Sequence, residues 1–225
     1  MSLSGPTHGT QRESLLLRRE LQLHLLLLSF IYQDVMISSV ISSAKKEPHL
    51  NKGLVIIFTG DGKGKSSAAL GVALRACGHK MYVSIVQFIK GSAETGEALA
   101  MGRLAPEVEF LPAGLGFVNC YGDKRSLDEH RKAAVNALSL ARQRVGSGSW
   151  DIVILDEVNI AVQLGLIDLK DVLDLVKIKP PKLHLILTGR NAHPDLIAVA
   201  DMVTKMDDVK HPFGSGTPAQ KGIDY

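Results

Sequence analysis

Cysteine, proline and aromatic side chains are all scarce in this chain: two Cys, nine Pro and 5% aromatics in 225 residues. Cys77 and Cys120 are too few and too far apart for a disulfide framework or a metal-ligand spacing, so a reducing compartment, the cytoplasm, is expected. The eight histidines form no H-x-x-x-H pair and no His/Cys cluster, which argues against a zinc site. No basic block stands out, because 26 Lys and Arg are spread among 23 Asp and Glu for a net charge of +3. Nucleic-acid binders concentrate positive charge, so a nucleic-acid partner is not expected. A long unbroken apolar run is missing too. The leucine-rich stretch from Leu21 to Ile41 is interrupted by Gln22, His24, Gln33 and Asp34, short of the roughly 18 consecutive apolar residues a membrane helix needs. Arg18 and Arg19 precede that stretch, but Glu20 and the lack of a small-residue cleavage site make a poor signal peptide.

What is present is an ordinary globular balance, 45% hydrophobic and 22% charged, which excludes disordered, collagen-like and coiled-coil classes. The length fits one good-sized domain with an appendage. Residues 1–50, with nine leucines between Leu15 and Leu28, read as a leucine-rich N-terminal extension, an upstream stretch from an early start assignment with Met36 a candidate true start. Residues 51–225 read as the functional domain.

Glycine outnumbers proline, 21 to 9, which fits an α/β protein with tight strand-to-helix turns better than a flexible linker protein. LVIIFT, Leu54–Thr59, is a short apolar β-branched run that ends at Gly60, Gly62 and Gly64, a buried strand feeding a loop. Apolar residues recur at helical spacing from Lys65 to Cys77, Gly78 stops the helix, and a strand begins at Met81. That order is a βαβ unit. Further strands are expected at Val108–Leu111, from Asp151 (DIVILDE), from Leu183 (LHLILTG) and at Met202–Met206. Helices are expected after Ser126, whose spacing to Glu129 makes a capping box, at Leu169–Val176 and at Pro194–Ala200. Alternating strands and helices predict an α/β fold of three layers, with helices on both faces of a mostly parallel central sheet.

The loop TGDGKGKSS, Thr59–Ser67, is where the chemistry gathers. Glycines between a strand and a helix turn successive N–H groups toward one point, and the helix N-terminus adds its positive end, so a polyphosphate is cradled without side-chain bulk. Lys65 brings a mobile charge to phosphate oxygens, and the Ser66 hydroxyl is placed to ligate Mg²⁺. The loop departs from G-x-x-x-x-G-K-[ST]: the first glycine position is Thr59 and the glycine comes one residue late, at Gly60, so the cradle is shorter. Asp156 and Glu157 close an apolar strand where a carboxylate would meet the loop metal, and spacing does not choose between them. Lys90 in QFIKG and Arg190 in LTGR also end strands and could clamp phosphates.

Together FTGDGKGKSSAALGVALRACGH, VQFIKG, VILDE, TGR and the closing VKHPFGSGTPAQKGIDY resemble the P-loop type ATP:corrinoid adenosyltransferases over residues 53–225. The tail is the most discriminating piece, since a generic P-loop protein has no reason to carry it. The resemblance implies a P-loop NTPase-like fold on which ATP binds in an unusual orientation and gives its 5′-deoxyadenosyl group to a Co(I) corrinoid, leaving triphosphate. It places the nucleotide loop on Gly60, Asp61, Gly62, Lys63, Gly64, Lys65 and Ser66, with Ser67 beside it, and a nucleotide-side arginine on Arg75. It puts the Mg²⁺ or Mn²⁺ ligands on Ser66 and Glu157, favouring Glu157 over Asp156. Lys65 and Glu157 are then the catalytic pair. Two aromatic positions that press on the lower corrin face fall on Leu115 and Phe117 of AGLGFVN, so one has become leucine. A homodimer and an electron donor such as a flavoprotein reductase are implied as partners. The rival readings are a phosphotransferase or NTPase acting at the γ-phosphate, and a carrier of corrinoid or nucleotide without catalysis.

Overall fold

The computed structural model describes residues 52–91, 95–118 and 123–224; the expectations for residues 1–50 and for Cys120 lie outside them. Six strands form one sheet in the order β3-β2-β4-β5-β1-β6: β1 Val55–Thr59, β2 Val83–Gln87, β3 Val108–Pro112, β4 Ile152–Asp156, β5 His184–Thr188 and β6 Met202–Lys205. All neighbouring strands run parallel, where a mostly parallel sheet was expected.

Because side chains alternate across a strand, the continuous apolar runs feed two cores. Val55 and Ile57 of β1, Val153 and Leu155 of β4, and Leu185 and Leu187 of β5 pack in one cluster. Their neighbours Ile56, Phe58, Ile152, Ile154 and Ile186 pack in the other. The helix after the glycine loop, α1 Lys65–Gly78, covers the second face through Ala69, Ala73 and Ala76. Small residues on that face let the helix lie close to the sheet. The opposite face is covered by α3 Leu127–Gly146 and α5 Leu169–Ile178, with α6 Pro194–Val199 contributing Leu196. The result is the three-layer α/β/α arrangement.

The capping box forms as read: Ser126 Oγ accepts from Glu129 N at 3.3 Å and Ser126 N donates to Glu129 Oε2 at 2.7 Å. Two helices escaped the sequence reading, α2 Gly96–Gly102 and α4 Val158–Gln163. With seven and six residues they are too short to show a helical period. A 3₁₀ turn at Pro212–Ser215 follows β6.

The register decides what gathers at the sheet's carboxyl edge. Gln87 of β2 pairs with Asp156 of β4, Leu155 pairs with Leu187, and Thr188 of β5 pairs with Phe58 of β1. Gln87, Asp156, Thr188 and Thr59 therefore form a polar row across four adjacent strands, and all four are buried. Parallel sheets collect ligands at this edge.

Candidate active site

The glycine loop has its shape for steric reasons. Gly60 and Gly64 hold φ at +95° and +115°, the left-handed region that side chains avoid. A β-carbon on Gly62 would lie 2.5 Å from the carbonyl oxygen of Asp207, so the chain leaving β6 passes directly against the loop. Gly62 N donates to Met206 O at 2.8 Å, and Met206 N donates to Thr59 O at 2.8 Å. At Thr59, where a standard loop has its first glycine, Oγ1 accepts from Ala192 N at 3.1 Å, which ties that side chain into the fold.

Lys65 Nζ donates to Gly62 O at 2.6 Å. Burial, and next the charge of Arg190, push its ammonium below the usual lysine range, against the pull of Glu157 and Asp61. Ser66 Oγ donates to Asp156 Oδ1 at 2.7 Å, Thr188 Oγ1 donates to the same oxygen at 2.7 Å, and Gln87 Nε2 donates to Oδ2 at 3.0 Å. Three donors around one carboxylate satisfy its burial. Glu157, the next residue, turns sharply with φ at +63°, and its N–H donates to Thr188 Oγ1 at 2.9 Å. Burial first, then the adjacent Asp156, push the Glu157 carboxyl above the usual range, opposed by Lys90, Lys65 and Arg190. The loop serine thus meets Asp156 directly, and Glu157 faces the cavity beside it.

That cavity has a volume of about 910 Å³. Lys63, Gly64, Lys65, Ser66, Ser67, Phe117, Glu157, Lys90 and Arg190 all line it. Gly60, Asp61 and Gly62 shape the loop outside that lining, and Leu115, which is half-buried, also lies outside it. Arg75 sits in the last turn of α1, exposed and away from the cavity. Ten residues at 1.5 Å rise put it about 15 Å along the helix from Lys65. Lys90 is held by Glu97 of α2 at 2.8 Å. Although burial alone would lower it, the hydrogen bond to Glu97 keeps the Lys90 ammonium above the usual range.

Residues the sequence reading passed over complete the site. Thr188 and Gln87 order Asp156, and the signal for each was a polar residue closing an apolar strand. Leu70, Met101, Ile160 and Leu164 give the cavity apolar walls, and Gly222, Ile223 and Asp224 of the tail form a further wall. Among the described residues no cluster of three His, Cys, Asp or Glu forms an all-protein metal cage. None of their helices is long and apolar enough to cross a membrane.

So built, the molecule is a P-loop nucleotide-binding protein whose carboxylate strand β4 is separated from the loop strand β1 by β5. Comparison narrows the class. The family model for "ATP:corrinoid adenosyltransferase BtuR/CobO/CobP" matches residues 51–225. A corrinoid adenosyltransferase of Pseudomonas aeruginosa is 40% identical over 77% of this chain and 84% of its own length. One of Sinorhizobium sp is 42% identical over 77% of this chain and 81% of its own, and one of Escherichia coli K12 is 38% identical over 77% and 86%. Among solved structures it is similar to the flagellar accessory protein FlaH of Methanocaldococcus jannaschii, at 15% identity and a TM-score of 0.48 over 69% of this chain and 71% of that one. The chain belongs to the ATP:corrinoid adenosyltransferase family, a family of enzymes.

Proposed function

We propose that this enzyme binds ATP on the Gly60–Ser67 loop and transfers its 5′-deoxyadenosyl group to the Co(I) centre of a corrinoid, releasing triphosphate. The observation that carries this reading is the cavity. One end is a polyphosphate cradle and the rest has walls of Leu70, Met101, Phe117, Ile160 and Leu164 in about 910 Å³. Phosphate transfer to a small acceptor has no use for so large a chamber with apolar walls beside its charged end, whereas a nucleotide together with a wide ring system fills one.

In this reaction Co(I) is the nucleophile at the ribose C5′, so the protein needs no general base to create one. Its work is orientation and stabilisation of leaving-group charge. The loop amides and the α1 N-terminus receive the triphosphate. Lys65 leaves the Gly62 carbonyl for a phosphate oxygen, and Arg190 meets the same anion from the end of β5. The oxygens of Ser66 and Glu157 suit a hard cation. Ser66 and Glu157, with Asp156 holding the serine, would hold Mg²⁺ there, and the ion would supply charge neutralisation of the departing triphosphate. Phe117 and the other apolar walls exclude water and cover one face of the corrin. A flavoprotein reductase as electron donor and a homodimeric state belong to the same reading.

The test is anaerobic incubation with ATP, Mg²⁺ and chemically reduced cobalamin, followed by the absorbance of alkylated cobalt and by phosphate analysis. Adenosylcobalamin with stoichiometric triphosphate is expected. ADP and orthophosphate would identify a γ-phosphate enzyme instead, and unaltered ATP with bound corrinoid would identify a carrier.

A further inference from the structure

The closing segment of the chain is its most discriminating sequence feature, yet phosphate chemistry gives it no task. Its end, Gln220–Asp224, is a turn closed from both sides: Asp224 N donates to Gln220 O at 2.8 Å, and Gln220 N donates to Asp224 Oδ2 at 2.8 Å. Gly222 makes the turn possible with φ at +82°. The other carboxylate oxygen of Asp224 accepts from Lys63 Nζ of the nucleotide loop. A charge-assisted bond therefore fastens the tail to the loop, and Gly222, Ile223 and Asp224 become part of the cavity wall.

Charge and exposure indicate what this wall meets. A carboxylate beside a polyphosphate cradle would repel the ligand unless neutralised. Lys63, and next the Gln220 amide, hold the Asp224 carboxyl below the usual carboxylate range, so it is ionised and paired at neutral pH. Lys63 is thereby engaged with the tail, and Lys65 and Arg190 are left for the anion. Ile223, by contrast, is 68% exposed, and Phe117 on the same cavity is 63% exposed. Large apolar side chains open to a concave site are the surface an apolar ligand covers.

Building on the adenosyl-transfer reading, we propose that Gln220–Asp224 is a latched wall of the active site, with Asp224 tying it to Lys63 and Ile223 packing on the ring system of a substrate. Adenine and corrin share the chemistry that Ile223 would recognise, a broad ring face. Asp224 is a positioning residue, and Ile223 touches the ligand.

Calorimetric titration of the full chain with MgATP, with cob(II)alamin and with inorganic triphosphate plus Mg²⁺, beside the anaerobic turnover assay, tests this. Ile223→Ala and Asp224→Asn are expected to weaken MgATP or cob(II)alamin about tenfold, which is a loss of about 1.4 kcal/mol. Triphosphate occupies the loop alone and should bind no more weakly than to the wild type. Asp224→Glu, which keeps the ion pair, should restore the affinity. A loss confined to MgATP assigns Ile223 to adenine, and a loss confined to cob(II)alamin assigns it to the corrin. Unchanged affinity for both ring ligands, or a parallel loss of triphosphate, overturns the proposal. Wild-type enzyme that binds all three ligands but forms no carbon–cobalt bond overturns the functional reading instead, while the binding comparison still decides the wall.

Discussion

Asp156 gathers hydrogen bonds from Ser66, Thr188 and Gln87 while only 3% exposed, and next to it burial disfavours the charged forms of Glu157 and Lys65. This division gives each residue a different task. Asp156 is saturated and fixes the serine hydroxyl; Lys65, resting on the Gly62 carbonyl, must change partner when phosphate arrives. Lys65→Ala should therefore lower kcat/KM by about 10²- to 10³-fold, the range found when one preorganised charge donor is removed from a reaction centre. Burial already disfavours its charged form, so the melting temperature should not fall. A variant that lost activity and unfolding temperature together would show Lys65 to be structural. At this scale the loop lysine and serine were legible because GKS follows a strand and opens a helix. Thr188 carried only the signal of a polar residue closing an apolar strand, and its role comes from Asp156, 32 residues away.

Elements are held by contacts of two ranges. The capping box that starts α3 joins residues three apart, Ser126 and Glu129, and so it could be read locally. The pair that ties α3 to the edge strand β3 joins Glu109 and Arg144, with Nε to Oε2 at 2.6 Å and Nη2 to Oε1 at 2.8 Å, and no sequence pattern announces it. Ser84 Oγ of β2 donates to Glu109 Oε2 at 2.8 Å. Burial pushes the Glu109 carboxyl up, but the hydrogen bonds from Arg144 and Ser84 outweigh it and hold the group below the usual range. A carboxyl with a depressed folded pKa adds stability above its unfolded pKa and loses it as pH falls through the folded value. Glu109→Gln should accordingly lower unfolding free energy by about 1–2 kcal/mol at neutral pH. The difference from wild type should shrink as pH drops below the ordinary carboxylate range. Urea unfolding of both proteins at two pH values measures it, and an equal difference at both would remove the ion pair as the cause.

Across the whole molecule, an all-parallel sheet places Gln87, Asp156, Thr188 and Thr59 at one edge, beneath the same cavity that the loop, α2 and the tail surround. Ligand binding should then be felt as global stability, because the walls come from segments far apart in the chain. At a MgATP concentration of 100 times Kd the gain is about 2.7 kcal/mol, or roughly 5–10 °C in melting temperature for a domain of this size. Scanning calorimetry of the wild type with and without MgATP checks this. The gain should be mostly lost in Lys65→Ala, and a full gain in that variant would place the nucleotide elsewhere.

The sequence by itself determined the strands, the longer helices and the phosphate loop, since apolar runs, 3.6-residue periods, caps and glycine positions act between near neighbours. Its tail and motifs also carried the family. Only the tertiary structure decided that the loop serine meets Asp156, and that Lys90 is paired with Glu97 and Lys63 with Asp224. Those outcomes depend on strand order, register and helix length in space, which bring together groups separated by up to 161 residues and which no local preference encodes.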